Sequence, residues 1–174
     1  AGKNQYLVYT KPSSLLLGNA YLVDSAGIFS RIFGPRMGLT ALASPSGKWV
    51  LVSYSLNGSM QMGLVNTTTN EVLSLPISTI TDKCVWSADD SVIYCGVPLE
   101  FPFGSYPDDW YQGAVHFSDR IWKVQVSGRY AQLVLDFTKE TNTLLDAESL
   151  VVDQLNSTLV FVNKNDLSLW SYSL

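Results

Sequence analysis

A strand-turn-strand unit recurs three times along this chain, over Leu39–Ser53, Asp82–Gly96 and Glu148–Val162. Setting Ser44, Ser87 and Asp153 in register also aligns the turn residues Gly47, Asp90 and Asn156, and behind each turn stands a run of β-branched and aromatic residues. The chemistry of such a turn explains what recurs. A Ser or Asp side chain can hydrogen-bond the turn backbone, and Gly, Asp or Asn tolerates the left-handed conformation. A repeat of this kind predicts an architecture before any single residue predicts a chemistry: the fold class is all-β, a β-propeller. That fold hosts many functions, so function has to be argued from particular residues.

The first copy continues into Met60–Asn66 and, across a Thr-rich turn, into Glu71–Leu75. That makes four strands in about forty residues, the length of one blade. The step from Ser44 to Ser87 is 43 residues and the step from Ser87 to Asp153 is 66, so the later blade carries an insertion of about 23. Arg120–Val126 and Tyr130–Asp136 recover a strand pair around Ser127 and Gly128, which places the insertion over 97–119. Upstream, Gln5–Thr10, Ala20–Ser25 and Phe29–Phe33 read as three strands; downstream, Glu148–Asp153, Thr158–Asn163 and Leu167–Tyr172 read as three more. The expectation is fourteen strands in about four blades, over 1–37, 38–77, 78–137 and 146–174, with each terminal blade one strand short. Rings close by pairing both termini within one blade, so this reads as part of a larger ring, or as half of one that associates with a copy. Only the Lys139–Ala147 connection hints at a 3.6-residue period, and no helix longer than about two turns is expected.

With 47% apolar residues the chain can build an ordinary core. Its net charge of −4 and 11 unclustered basic residues exclude a nucleic-acid footprint or attraction to an anionic membrane surface. No window approaches 18 uninterrupted apolar residues, and the first residue is Ala rather than Met, which reads as a processed or excised piece with any signal or anchor upstream. The two cysteines, Cys84 and Cys95, oppose each other if the second hairpin turns at Asp89 and Asp90. Opposed residues of a non-hydrogen-bonded pair have Cα atoms about 4.5 Å apart, close enough for a disulfide. A bridge would imply an oxidising compartment. The bland alternative is two small core residues, since the equivalent pairs, Ala41 with Val52 and Leu150 with Phe161, are apolar.

The first repeat, Ser44-Pro45-Ser46-Gly47-Lys48-Trp49, resembles the WD40-like, TolB-type propeller repeats, whose mark is Ser-Pro-Asp-Gly followed by Lys-Trp or Arg-Ile and an apolar strand. Trp86-Ser87-Ala88-Asp89-Asp90 matches more loosely, and Asp153-Gln154-Leu155-Asn156 has drifted. The segments Lys83–Ser87, Tyr94–Pro98, Tyr106–Gly113 and Leu167–Ser171 are similar to bacterial propeller proteins that carry an N-terminal membrane anchor. The resemblance implies an extracytoplasmic domain, at the cell surface or in a periplasm-like space, and brings no catalytic residue and no cofactor with it.

The insertion holds Phe101, Phe103, Tyr106, Trp110, Tyr111 and Phe117 beside Glu100, Asp108, Asp109 and the only histidine, His116. Loops this long are often functional, and aromatics beside carboxylates suit a peptide or sugar site. The candidate partner-binding residues are therefore Phe101, Phe103, Tyr106, Asp108, Asp109, Trp110, Tyr111 and His116. The competing reading makes the aromatics the loop's own small core, pinned by Pro98, Pro102 and Pro107. A Ser-His-Asp triad would need His116, yet no Gly-x-Ser-x-Gly elbow accompanies it. Paired acids could cleave glycosides, but adjacent acids in a turn are usually solvated. Two carboxylates at Asp89 and Asp90 fall short of the oxygens calcium requires, and no metal site is expected. Sequons at Asn57, Asn66 and Asn156 coincide with turns where Asn is expected anyway. Trp49, Trp86, Trp122 and Trp170 lie on strands and read as inter-blade packing. The sequence supports a non-catalytic scaffold that binds a protein or peptide, with self-association through open terminal blades; the rival is the propeller domain of an enzyme.

Overall fold

The computed structural model of the chain describes residues 5–141 and 143–174. Ala1 and Asn142 of the Lys139–Ala147 connection lie outside the described residues. Strands β1 (Gln5–Tyr9), β2 (Leu17–Asp24), β3 (Phe29–Ala43), β4 (Trp49–Leu56), β5 (Ser59–Asn66) and β6 (Val72–Ser74) form one sheet in chain order. A 3-10 turn, Thr81–Lys83, leads into the second sheet: β7 (Cys84–Trp86), β8 (Val92–Pro98), β9 (Asp119–Gln125) and β10 (Tyr130–Asp136). The third holds β11 (Ala147–Val152), β12 (Thr158–Asn163) and β13 (Leu169–Ser173). Every pairing is antiparallel. The helices, α1 (Asp108–Tyr111) and α2 (Phe137–Glu140), have four residues each, and no helix among the described residues is long and apolar enough to cross a membrane.

Among the described residues the strand count is thirteen, not the expected fourteen, because two predicted strands are one. Phe29–Phe33 and Leu39–Ala43 run together as β3, whose first part pairs with β2 and whose second part pairs with β4. At Met37 the strand lies between Leu17 and Ser55, and a register shift follows before Thr40. Gly38, at φ 61°, absorbs the bend.

Three apolar cores separate four layers of strands. Ala20, Leu22 and Ile32 face Leu39, Ala41, Val50 and Val52 in the first. Leu51, Met62 and Leu64 face Cys84, Trp86, Ile93 and Val124 in the second, and Tyr94 and Ile121 face Leu150, Leu159 and Phe161 in the third. The residues of β4 explain why its sequence is an unbroken apolar run. Val50 and Val52 point into one core and Leu51 into the next, so a central strand buries both faces. Trp49, Trp86 and Trp122 pack in the second core and Trp170 in the third, all between sheets.

The repeat is built as its turn chemistry requires. The amides of Gly47, Asp90 and Asn156 donate to the carbonyls of Ser44, Ser87 and Asp153, and all three donors have positive φ, at 76°, 61° and 54°. The side chains of Ser44, Ser87 and Asp153 then accept from the amides of Trp49, Val92 and Thr158 at 3.2, 3.0 and 2.9 Å. Asp90 also accepts from Ser44 Oγ at 2.7 Å, so the turn of one blade clasps the turn of the next. Cys84 and Cys95 are directly paired in β7 and β8, and the two sulfurs are bonded.

Candidate functional site

The insertion leaves the sheet after β8 and returns at β9, and its anchor is a buried cluster of charge. Lys83, the last residue of the 3-10 turn, has a fully buried side chain. Its Nζ meets Asp119 Oδ2 at 2.7 Å and Asp146 Oδ1, and both carboxylates are likewise fully buried. Removing such ions from water costs several kcal/mol each, which only good pairing and further hydrogen bonds offset. Ala147 N donates to Asp119 Oδ2 at 2.7 Å. Asp146 accepts from Trp110 Nε1 at 3.0 Å and from Phe117 N at 3.0 Å. The rings of Trp110 and Phe117 stand 5.0 and 5.1 Å from Nζ, within cation-π range.

The cluster has one cation for two carboxylates. Burial pushes the Asp119 carboxyl up to about 6, with the Asp146 charge adding to the shift and the Lys83 ammonium opposing it. Asp119 Oδ1 makes no hydrogen bond among the described residues. The space is tight: a Cβ on Gly96 would sit 3.0 Å from Asp119 Oδ2 and 3.2 Å from Ala147 Cβ.

The predicted candidates fall into distinct environments. Trp110 is 3% exposed and belongs to the buried cluster, stacked on Phe117. Phe101 packs edge-on against Tyr106 and Phe117, Tyr106 lies tilted against Phe117, and the Tyr106 hydroxyl donates to the Pro102 carbonyl. Asp109 accepts from Ser105 N at 2.7 Å, and Asp108 accepts from Ser14 N at 2.5 Å, fastening the insertion to the β1–β2 connection. Gly38 is needed here, because a Cβ would lie 2.7 Å from the Tyr106 carbonyl oxygen. The Tyr111 hydroxyl donates to Asp82 at 2.8 Å, and burial together with that carboxylate raises its pKa. The His116 side chain is half exposed, with Nδ1 4.0 Å from Asp146. Phe103 is wholly exposed.

These residues do not converge on one pocket. Phe101, Phe103 and Tyr106 line a groove of about 630 Å³ facing Met60 and the β4–β5 turn. Trp110 and Tyr111 border a smaller cleft of about 240 Å³ with Asp82, Glu148 and Lys164. There Lys164 Nζ lies 3.7 Å from Glu148 and 4.6 Å from the Trp110 ring. Sequence reasoning missed Lys83, Asp119 and Asp146. The repeat register held one signal, since Lys83 occupies the position of Thr40, a buried inner-strand residue of the preceding copy. A lysine at an inward position requires carboxylates nearby.

No family model and no curated protein matches the sequence. Solved structures do. TolB from Acinetobacter baumannii is 17% identical, with a TM-score of 0.65 over 98% of this chain and 38% of its own. A protein of Agrobacterium tumefaciens assigned to TolB is 14% identical, with a TM-score of 0.67 over 98% of this chain and 58% of its own. The fold is that of TolB-type propellers. The tricorn protease also contains it, at 12% identity and a TM-score of 0.61 over 98% of this chain and 16% of that one. This chain therefore spans less than two thirds of the length of each.

Two outcomes follow from the cluster. Trp110→Ala empties a buried ring and breaks a hydrogen bond to a buried carboxylate, so a urea melt should show a loss of about 3–5 kcal/mol. Tyr111→Ala, on a side chain 40% exposed, should lose clearly less. Asp119 binds its proton up to about pH 6 when folded, whereas its ordinary value is 3.8. Its contribution to stability is thus fully present below the ordinary value and is lost as pH rises through 6, by about 3 kcal/mol for a shift of roughly two units. Urea melts from pH 4.5 to 8 should show this decline in the wild type and a flatter profile in Asp119→Asn; parallel profiles would contradict it.

Proposed function

We propose that this chain is a non-catalytic propeller scaffold of an extracytoplasmic compartment, binding a protein or peptide partner through the insertion. The observation that carries the reading is the contrast within one loop. Trp110, Phe117, Asp108 and Tyr111 tie the insertion to Asp146, Ser14 and Asp82, three separate parts of the framework, while Phe103 stands wholly in solvent. A rigid loop that holds a phenylalanine outward presents contact area without an ordering penalty, and aromatic anchors of this kind dominate protein interfaces. The buried Cys84–Cys95 bridge supports an oxidising compartment.

The alternative, a propeller domain serving an enzyme, draws on the fold shared with the tricorn protease. The paired acids lend it little support. Asp108 and Asp109 each accept a backbone amide and so serve to shape the loop. A photoreactive benzoylphenylalanine in place of Phe103 in the native host is expected to give a discrete protein adduct. The same group at Leu155, exposed at the opposite end of the blades in the β11–β12 turn, should give none. Identical patterns from the two positions would refute the assignment.

Self-association is part of the proposal. Tyr6 and Phe29 lie in one cross-strand row on the free face of the first sheet, and Val151 and Leu169 lie on the free face of the last, each at least 60% exposed. Every other sheet face here carries an apolar core. Light scattering on the 174-residue chain is expected to give a dimer, reverting toward monomer in Phe29→Glu; a wild-type monomer would remove this element.

A further inference from the structure

The groove between the β4–β5 turn and the Phe101–Tyr106 arm has a chemistry that narrows its occupant. Its floor and walls are Met60, Phe101, Pro102, Phe103 and Tyr106, and Gly58, Ser59, Ser78 and Gly104 complete them without a charged side chain. The basic residue of the adjoining cleft, which shares Ser78 and Phe101 with this groove, is Arg120, and its guanidinium is paired with Asp136 at 2.9 Å. Glu100, next to Phe101 in the chain, is exposed and lines that adjoining cleft, and Asp109 lies behind Gly104, its Oδ2 3.0 Å from where a Cβ there would stand. Its volume, about 630 Å³, lies in the range of ligand-binding clefts. The small residues at 58, 59, 78 and 104 let a main chain approach closely, while the aromatic rings offer flat apolar walls.

We propose that this groove docks an extended, proline-containing apolar segment of a partner protein, flanked by Lys or Arg. The inference rests on the binding role of the insertion and names the chemistry of what is bound. Aromatic-lined grooves take polyproline II segments because proline presents an apolar ring on a backbone already fixed in the extended form, so little entropy is lost on docking. The uncharged floor disfavours a charged side chain within the segment, and the acidic border favours a cation at its end. The apolar surface also continues outward from the groove. Met60 pairs across the strands with Ser55, Ser55 with Met37 and Met37 with Leu17, and Met37 and Leu17 are 44% and 59% exposed.

The test pans a phage library of random 12-residue peptides on the 174-residue chain and then titrates the selected peptide by fluorescence anisotropy. Enriched clones should contain proline within an apolar run and a flanking Lys or Arg. Phe103→Ala should weaken binding at least tenfold with an unchanged melting curve, because its ring is solvent-exposed. Glu100→Gln should weaken it a few-fold and reduce its dependence on salt. Failure to enrich peptides, enrichment without proline or basic residues, or binding indifferent to Phe103→Ala would overturn the proposal. Sedimentation with phosphatidylcholine vesicles that Phe103→Ala abolishes would overturn it in favour of a lipid surface. A protein adduct at position 103 alongside failed panning would leave the scaffold role standing and remove only this occupant; loss of both would remove the two together.

Discussion

One ammonium group held between two carboxylates in the protein interior is the constraint on which the insertion side of this molecule depends. Lys83 enters from the turn before β7, Asp119 from the first residue of β9, and Asp146 from the residue before β11. Each lies where a strand begins, so the cluster locks two sheets at one end and the insertion above them. Energetically this is a demanding arrangement. An apolar core of the same volume could be as stable, whereas deletion of one partner strands a buried charge at about 3–5 kcal/mol. What the cluster supplies beyond packing is direction: Asp146 has two oxygens, and it uses them to orient the Trp110 indole and the Phe117 amide as well as Lys83.

The insertion is therefore no free loop. Its inner half is a core of its own, Trp110 and Phe117 with Met60 and Ile80, and its outer half is the surface that core supports. Its aromatics divide along the chain: Trp110 is buried beside the charges, and Phe103, seven residues earlier, is in water. The opposite end of the blades is organised differently. There each turn is closed by its own Ser or Asp, with Asp90 also reaching across to Ser44 and Ser46 of the preceding blade, and Asp89 is held down to about 2 by the hydroxyls of Ser87 and Ser91. Asp89 and Asp153 at that end are satisfied by residues within about five positions, whereas Asp119 and Asp146 under the insertion are satisfied by residues from distant parts of the chain.

That difference separates what could be read from residues in order from what could not. The repeat, the strands and the turn residues were legible because each depends on neighbours within about five positions. A Ser at one end of the turn and a Gly, Asp or Asn at the left-handed position are local requirements, and the three copies meet them alike. The opposition of Cys84 and Cys95 followed from the same hairpin register. The long connection between β8 and β9 stood out because the step between copies lengthens from 43 to 66 residues and Arg120–Val126 with Tyr130–Asp136 resumes the strand pattern after it. The fused strand β3 was not legible, since Gly34, Pro35 and Gly38 suggest a break and only pairing on both sides keeps the segment extended.

The sequence by itself determined the all-β architecture, the period of the blades and the segment that departs from it, because strand alternation and turn chemistry act over short distances. Only the tertiary structure decided which of the insertion's aromatics face water, because that depends on where Asp146 and Asp119 come to rest relative to Lys83. The former is 63 residues from that lysine along the chain. Burial of a charge is compensated by contacts at such separations, and no local pattern encodes them.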